Sequence, residues 1–254
     1  MRFVVFVKQV PDTTLIEVDE NGNLRRAGVP SILDPCSEHA METALGLRSE
    51  GDVVTAVTMG PPQAESALRR CLEIGADEAF LLSDRAFAGA DVRATARALS
   101  AFVERFAGDA TLLLFGRQAS DGDTGQVPAE VAEMLGREQF CYSTKVERAG
   151  DAFRCTQDYG DEIRVCSVPS GSVVSVSEGD VNRRLPSIER FMAVRNMTVT
   201  VLGRIDLGLG NFSVGMNGSR TRIVESRNVR SVRSGTVIDG SDPVGAAAHL
   251  REVL

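Results

Sequence analysis

The sequence predicts an α/β protein on a mostly parallel, doubly wound sheet, continued by a C-terminal extended arm and a closing helix. Three observations predict it. Apolar runs of strand length recur through the first part of the chain, each is followed by a segment with helical apolar spacing, and the rhythm stops near residue 180. Strands buried on both faces read as near-continuous apolar runs, and right-handed crossovers then lay helices over the two faces.

"RFVVFVKQV", residues 2–10, is β-branched and aromatic and stops at Pro11, as a doubly buried strand should. "LDPCSEHAMETALGLR" turns at Asp34-Pro35, offers Ser37 as a helix cap, and carries Ala40, Met41, Ala44, Leu45 and Leu47 at helical spacing. "DVVTAVTMGPP" is a second strand and "QAESALRRCLEIGA" a helix closed by Gly75. "EAFLLSD" is a third strand, and the helix after it sets Val92, Ala96, Leu99, Phe102, Val103 and Phe106 along one face. "ATLLLFG" is the fourth strand, followed by the helix "PAEVAEMLG". Beyond residue 140, alternating segments joined by Gly-Asp turns predict a hairpin excursion and a last core strand, Ser172 to Val176.

The expected division is an α/β core at 1–179 and, at 180–254, an arm and closing helix that pack on a partner subunit. "LGLGNFSVGMNGSRTRIV" is rich in Gly, Ser and Asn, which suits an extended arm. The apolar Phe191, Met192, Phe212 and Ile223 argue that this arm lies on something else.

Lysine plus arginine at 28 against aspartate plus glutamate at 35 gives a net charge of −7, which argues against nucleic acid and anionic membrane as partners. Five cysteines, odd in number and widely spaced, with only His39 and His249 to join them, argue against a zinc site or a disulfide framework. His39, in a first helical turn, is expected at the surface. No apolar run reaches the roughly 18 residues of a membrane helix, and no signal-peptide pattern opens the chain, so a cytoplasmic setting without membrane insertion is expected.

In a doubly wound sheet, ligands settle outside the carboxyl ends of the strands. Three predicted strand ends carry unusual residues: Phe6-Val7-Lys8, Thr58-Met59-Gly60, and Gly116-Arg117-Gln118 running into Asp121-Gly122-Asp123-Thr124-Gly125-Gln126-Val127. Gly116, Gly122 and Gly125 let backbone N–H groups approach a phosphate, and Thr124 and Gln126 add donors at a helix N-terminus, where the dipole favours an anion. Asp121 and Asp123 accept from ribose hydroxyls or an amine, cap the helix, or bind the loop's own amides; taken alone, "DGDTG" reads equally as a capped turn or a ligand loop. Lys8 reads as a phosphate ligand, a catalytic group or a solvent-tipped lysine. Neither G-x-G-x-x-G nor G-x-x-x-x-G-K is present, and no arrangement of nucleophile and base stands out, so no catalytic side chain is expected.

"FVKQVPD", "DPCSEHAMETAL", the stretch from "VTAVTMGPP" to "DVRATARAL", and "LFGRQASDGDTGQV" together resemble the β subunit of electron-transferring flavoprotein, over at least residues 1–135 and more weakly to about 200. The resemblance implies a Rossmann-like core and a heterodimer with an FAD-carrying α subunit. In ordinary members the β site holds AMP; in electron-bifurcating members it holds a second FAD that takes a hydride from NADH, one electron passing to the α-bound FAD and the other to a low-potential acceptor such as ferredoxin or flavodoxin. Family nucleotide contacts carry over to Phe6, to Asp34, Pro35, Cys36 and Ser37, to Met59, and to Asp121 through Ala129. The loop is similar to "GRQAIDGDTAQVGP" of bifurcating relatives, while AMP-binding members are more acidic at the Gly122 position, which points to FAD. The chain departs from the family's Asn-Pro-Tyr-Asp at Asp34-Pro35-Cys36-Ser37, and from its Val-Gly-Pro at Val127-Pro128-Ala129. The family's recognition loop, which anchors an acyl-CoA dehydrogenase, aligns with Arg184 to Met192 and puts Ile188 at the apolar anchor; Ala193 stands where some relatives carry lysine. The alternative implied is a non-bifurcating β subunit with structural AMP that docks dehydrogenases. A stand-alone adenine-nucleotide-binding regulator of related fold is a third reading.

Overall fold

A computed structural model describes residues 1–12, 17–18, 24–25, 30–150, 152–177, 183–222, 224, 238 and 240–253. The expected 179/180 boundary and Ile223 lie outside the described residues. The chain divides into two compact units, Met1–Arg222 and Ile223–Leu254.

In the first unit the strands are β1 (Arg2–Phe6), β2 (Gln9–Pro11), β3 (Glu17–Val18), β4 (Leu24–Arg25), β5 (Ser31–Leu33), β6 (Val53–Met59), β7 (Glu78–Leu82), β8 (Leu112–Gly116), β9 (Gln139–Ala149), β10 (Ala152–Asp158), β11 (Ile163–Val168), β12 (Ser172–Val176) and β13 (Thr200–Leu202). The α-helices are α1 (Pro35–Leu47), α2 (Glu65–Ile74), α3 (Val92–Phe106), α4 (Val127–Leu135), α5 (Ile188–Val194) and the single turn α6 (Gly215–Gly218). Nine strands form one sheet in the order β11-β10-β9-β12-β8-β1-β6-β7-β13. All neighbours from β9 to β13 pair in parallel, and β10 and β11 extend the β9 edge as an antiparallel meander. The chain leaves β1 toward β6 and β7, then crosses to β8 on the other side, so the topological switch lies between β1 and β8.

Helix placement follows from the apolar stripes. Met41, Ala44, Leu68 and Leu72 of α1 and α2 bury against one face of the sheet, while Leu99, Phe102 and Val103 of α3 and Val131 of α4 bury against the other. Each layer removes whole aliphatic side chains from water, worth roughly 1.5–3 kcal/mol apiece.

The expected first strand breaks after Phe6. Val7 N donates to Val57 O at 2.8 Å, but Lys8 N donates to Ser37 Oγ at 3.1 Å, and the chain leaves the sheet to pair β2 with β5. The cap of α1 is Asp34, not Ser37: Pro35 occupies the first turn, and the Asp34 carboxylate accepts from Ser37 N at 3.1 Å. His39 is 8 % exposed and its Nδ1 has no hydrogen-bond partner, contrary to the surface position expected for it.

The first unit also runs past the expected core. β13 joins the sheet beside β7, and Leu202, Leu207 and Val214 bury into the layer of α3. Asp91, the cap of α3, accepts from Arg220 N at 2.6 Å and Thr221 N at 2.9 Å, tying down the end of the unit. In the second unit, α7 (Pro243–Val253) is the expected closing helix, with Val244 N donating to Asp242 Oδ1 at 3.1 Å.

Asp52 gives the first unit an acid limit. Burial alone would push its carboxyl up, but the N-terminal ammonium at 2.6 Å, Ser49 N at 2.9 Å and Arg148 Nη1 at 2.8 Å outweigh burial and hold the pKa at about 2. A depressed folded-state pKa contributes stability that is complete above the unfolded value and is lost as pH falls toward the folded one. Asp52→Asn is therefore expected to be less stable than the parent above about pH 4, the gap closing toward pH 2; chemical denaturation across that window measures it.

Candidate functional site

The carboxyl ends of β1 and β8 meet the N-terminus of α1 at the switch point. Gly116 closes β8 so tightly against α1 that an added Cβ would stand 2.6 Å from the Cys36 carbonyl carbon. Asp34 is fully buried between them. One of its oxygens takes Ser37 N, and the other takes Ser120 N at 2.9 Å and Ser120 Oγ at 3.0 Å. The acid that caps α1 thus also pins the loop after β8.

That loop then makes a turn of its own. Gly122 N and Asp123 N both donate to Ala119 O, at 3.2 and 2.8 Å, so these two amides serve the turn. The left-handed backbone falls on Asp123 (φ 51°) and Gly125 (φ 62°), not on Gly122. Gly122 instead provides room: an added Cβ would meet nothing nearer than Lys8 Nζ at 3.9 Å. Lys8 Nζ bridges to Asp121 Oδ1 at 2.6 Å across an exposed lip.

Beyond the turn, the amides of Thr124, Gly125, Gln126 and Val127 meet no acceptor among the described residues. No side chain caps α4, and Pro128 lies in its first turn. A run of unpaired N–H groups leading into a helix N-terminus is what an anion, above all a phosphate, satisfies.

The candidate residues divide by whether their polar groups are already committed. Asp34 and Ser37 are internal, and Thr58 Oγ1 donates to Val7 O at 2.7 Å. The Phe6 ring is buried, stacked on Phe115 at 4.5 Å, so it supports the crevice from below. Cys36 is buried, and Met59 and Gly60 are half-buried where β6 ends. The side chains of Gln118, Asp123, Thr124 and Gln126 make no hydrogen bond or ion pair with any described residue, and Arg117 has only an aromatic ring, that of Tyr142, against its guanidinium. Tyr142 was not legible as a site residue; the structure brings it here from β9.

Two surface hollows, about 380 and 470 Å³, lie at the opposite ends of the strands, around Arg2 and Glu78 and around Arg137 and Pro169, away from all these residues. Among the described residues no cluster of His, Cys, Asp and Glu could hold a metal ion, and no helix is long and apolar enough to cross a membrane.

The expected recognition segment is fastened to α1 and α2 by arginines. Arg184, itself exposed, bonds the buried Glu42 carboxylate through its N and Nε at 2.7 and 2.9 Å. Arg69 donates to Val194 O and Met197 O, and Arg190 to Leu72 O and Ala76 O. On this clamped base Ile188 stands 84 % exposed, with Leu185, Phe191 and Met192 also exposed.

Residues 22–202 match the family described as Electron transfer flavoprotein domain. The chain belongs to the electron transfer flavoprotein family. It is 40 % identical over 244 residues to "Electron transfer flavoprotein subunit beta" of Thermoanaerobacterium thermosaccharolyticum, covering 95 % of this chain and 93 % of the relative. It is 36 % identical to "Caffeyl-CoA reductase-Etf complex subunit CarD" of Acetobacterium woodii, over the same shares of the two chains, 95 % and 93 %. "Protein FixA" of Azotobacter vinelandii is 36 % identical over 231 residues, 87 % of this chain and 82 % of the relative. Within the electron transfer flavoprotein family it has the character of a β subunit, which works in electron transfer and pairs with an α subunit.

Proposed function

We propose that the loop from Asp121 to Val127 holds the phosphate end of an adenylate-containing cofactor, and that this cofactor is FAD. The observation that carries the reading is the run of uncommitted amides from Thr124 to Val127 at an uncapped helix N-terminus beside the switch point. FAD is favoured over AMP because position 122 carries no side chain, which leaves the lip beside Lys8 open. A bound FAD would accept a hydride from NADH and release the electrons singly. The residues of this chain supply position and electrostatics: free amides for the phosphates, Asp34 to hold the loop that presents them, and Lys8 as a cation at the lip. The similarity to a subunit of a reductase complex supports flavin-based bifurcation, in which one electron goes to the α-bound flavin and the other to a low-potential acceptor of the ferredoxin or flavodoxin kind.

The heterodimer is expected to contain two FAD and to be bleached by NADH; one FAD with one AMP and no response to NADH would overturn the bifurcating reading. Gly122→Leu fills open space without backbone strain, so it should fold normally and lose the β-bound nucleotide. Full nucleotide content in that variant would show that the loop is not the cradle.

A second reading keeps AMP as a structural ligand and makes the subunit a dock for dehydrogenases such as an acyl-CoA dehydrogenase. Ile188, exposed on an arginine-clamped base, favours the docking part of it. Ile188→Asp is expected to slow electron transfer with the partner dehydrogenase at least about tenfold, as loss of a central apolar anchor does, with nucleotide content unchanged. Unchanged partner rates would remove Ile188 from the interface.

A further inference from the structure

β9 is irregular against both of its neighbours. Against β12, Val174 pairs with Phe140 and Val176 with Ser143; against β10, Thr156 pairs with Lys145 and Gln157 with Ser143. Against β12, β9 carries one residue too many between Phe140 and Ser143, and against β10 one too many between Ser143 and Lys145. Bulges re-aim side chains and gather beside functional sites.

Here the re-aimed residue is Tyr142. Its backbone is left-handed, φ 58°, an uncommon state for a bulky residue and one that persists only where its surroundings impose it. Three buried polar residues impose it. Ser175 Oγ accepts from Tyr142 N at 3.2 Å, Gln157 Nε2 donates to Cys141 O at 2.6 Å, and Ser143 Oγ donates to Phe140 O at 3.1 Å. Ser143, Ser175 and Gln157 are respectively 0, 2 and 5 % exposed, so three buried polar groups each give the kink a hydrogen bond.

The kink turns the tyrosine toward the loop. Arg117 lies over its ring, 5.3 Å from the centroid, and Tyr142 Oη comes within 3.9 Å of where a Gly125 Cβ would stand. The hydroxyl makes no hydrogen bond to any described residue, and neither does the Arg117 guanidinium. A neutral donor is thereby placed beside Gly125, whose amide is unpaired, with an uncommitted cation held on its ring.

We propose that Tyr142 is a phosphate-binding residue of the nucleotide site, its hydroxyl donating to a phosphate oxygen of the ligand while Arg117, held on its ring, adds charge beside it. This rests on the cradle reading above. The phosphate is common to AMP and to FAD, so the residue acts on either cofactor. Tyr142→Phe keeps the ring, the bulge and the arginine contact and removes the donor alone.

The test uses the heterodimer freed of its β-bound nucleotide, titrated with AMP and with adenosine by calorimetry, together with flavin content per heterodimer after reconstitution with FAD. A hydrogen bond to a charged group corresponds to a loss of about tenfold or more in affinity. Tyr142→Phe is expected to weaken AMP binding by about that factor and to lower FAD retention, with adenosine binding unchanged. Equal loss for AMP and adenosine would mean that the tyrosine meets the nucleoside or only shapes the site, and would overturn the proposal, as would unchanged AMP affinity. Gly122→Leu separates the two readings: if it empties the site while Tyr142→Phe binds AMP normally, the cradle stands and the tyrosine falls; if it leaves the site full, the cradle itself falls. Tyr142→Gly, which relaxes the left-handed backbone, is expected to show the same selective loss with AMP; normal AMP binding there would also overturn the proposal.

Discussion

Gly116→Val is expected to lower the melting temperature of the heterodimer by roughly 6–12 °C and to deplete its β-bound nucleotide. The new Cβ would sit 2.6 Å from the Cys36 carbonyl carbon, 2.7 Å from its oxygen and 2.8 Å from its Cβ. The two nearest are backbone atoms and cannot rotate aside. The strand end is fixed from the other side, because Arg117 N donates to Val176 O at 2.8 Å, and the helix end is fixed by Asp34. Forcing them apart costs about 3 kcal/mol, the upper part of the usual range for overpacking, and each kcal/mol shifts the midpoint of a domain this size by roughly 2–4 °C. Thermal unfolding, with nucleotide analysis of the released supernatant, measures both effects. Gly116→Ala, which meets the same atoms, should fall in the same direction; a melting temperature within a degree of the parent would mean that strand and helix part easily.

Asp34→Ala is the second large effect, a loss of roughly 3 kcal/mol with a weakened nucleotide site. The change removes the cap of α1, worth about 1 kcal/mol. It also strips the acceptor from Ser120 N, and leaving such a donor unsatisfied costs about 1–3 kcal/mol. Asp34→Asn keeps one carbonyl oxygen but presents an NH₂ group to the other pair of donors, so it should recover only part of the loss. Denaturant midpoints rank the three proteins. If the asparagine variant matched the parent in midpoint and nucleotide content, the second carboxylate oxygen would have no role in holding Ser120.

The layers were legible because burial leaves a mark on composition. Continuous apolar strands and one-sided helices announced β1, β6, β7, β8 and the four helices between and after them, and Gly75 does close α2. The arm was less legible. Its Gly and Ser content reads as extended chain, while three well-spaced apolar residues, Leu202, Leu207 and Val214, suffice to bury it along α3. In the loop, sequence identified the segment but not the division of labour within it. A stretch holding two glycines and two aspartates does not reveal which residue goes left-handed, and the structure chose Asp123 and Gly125. Tyr142 was invisible for a different reason. A bulge inserts one residue into an alternating strand without altering its composition, and its supports, Ser175 and Gln157, lie far along the chain.

The first helix touches both ends of the chemistry proposed for this subunit. At its start Asp34 grips Ser120 of the loop, and two turns later Glu42, on the same rigid cylinder, grips Arg184 at the root of the exposed segment. A rod cannot move at one end alone. The loop after β8 and the root of the exposed segment are thus anchored to one and the same helix, so neither anchor can be displaced by α1 without the other.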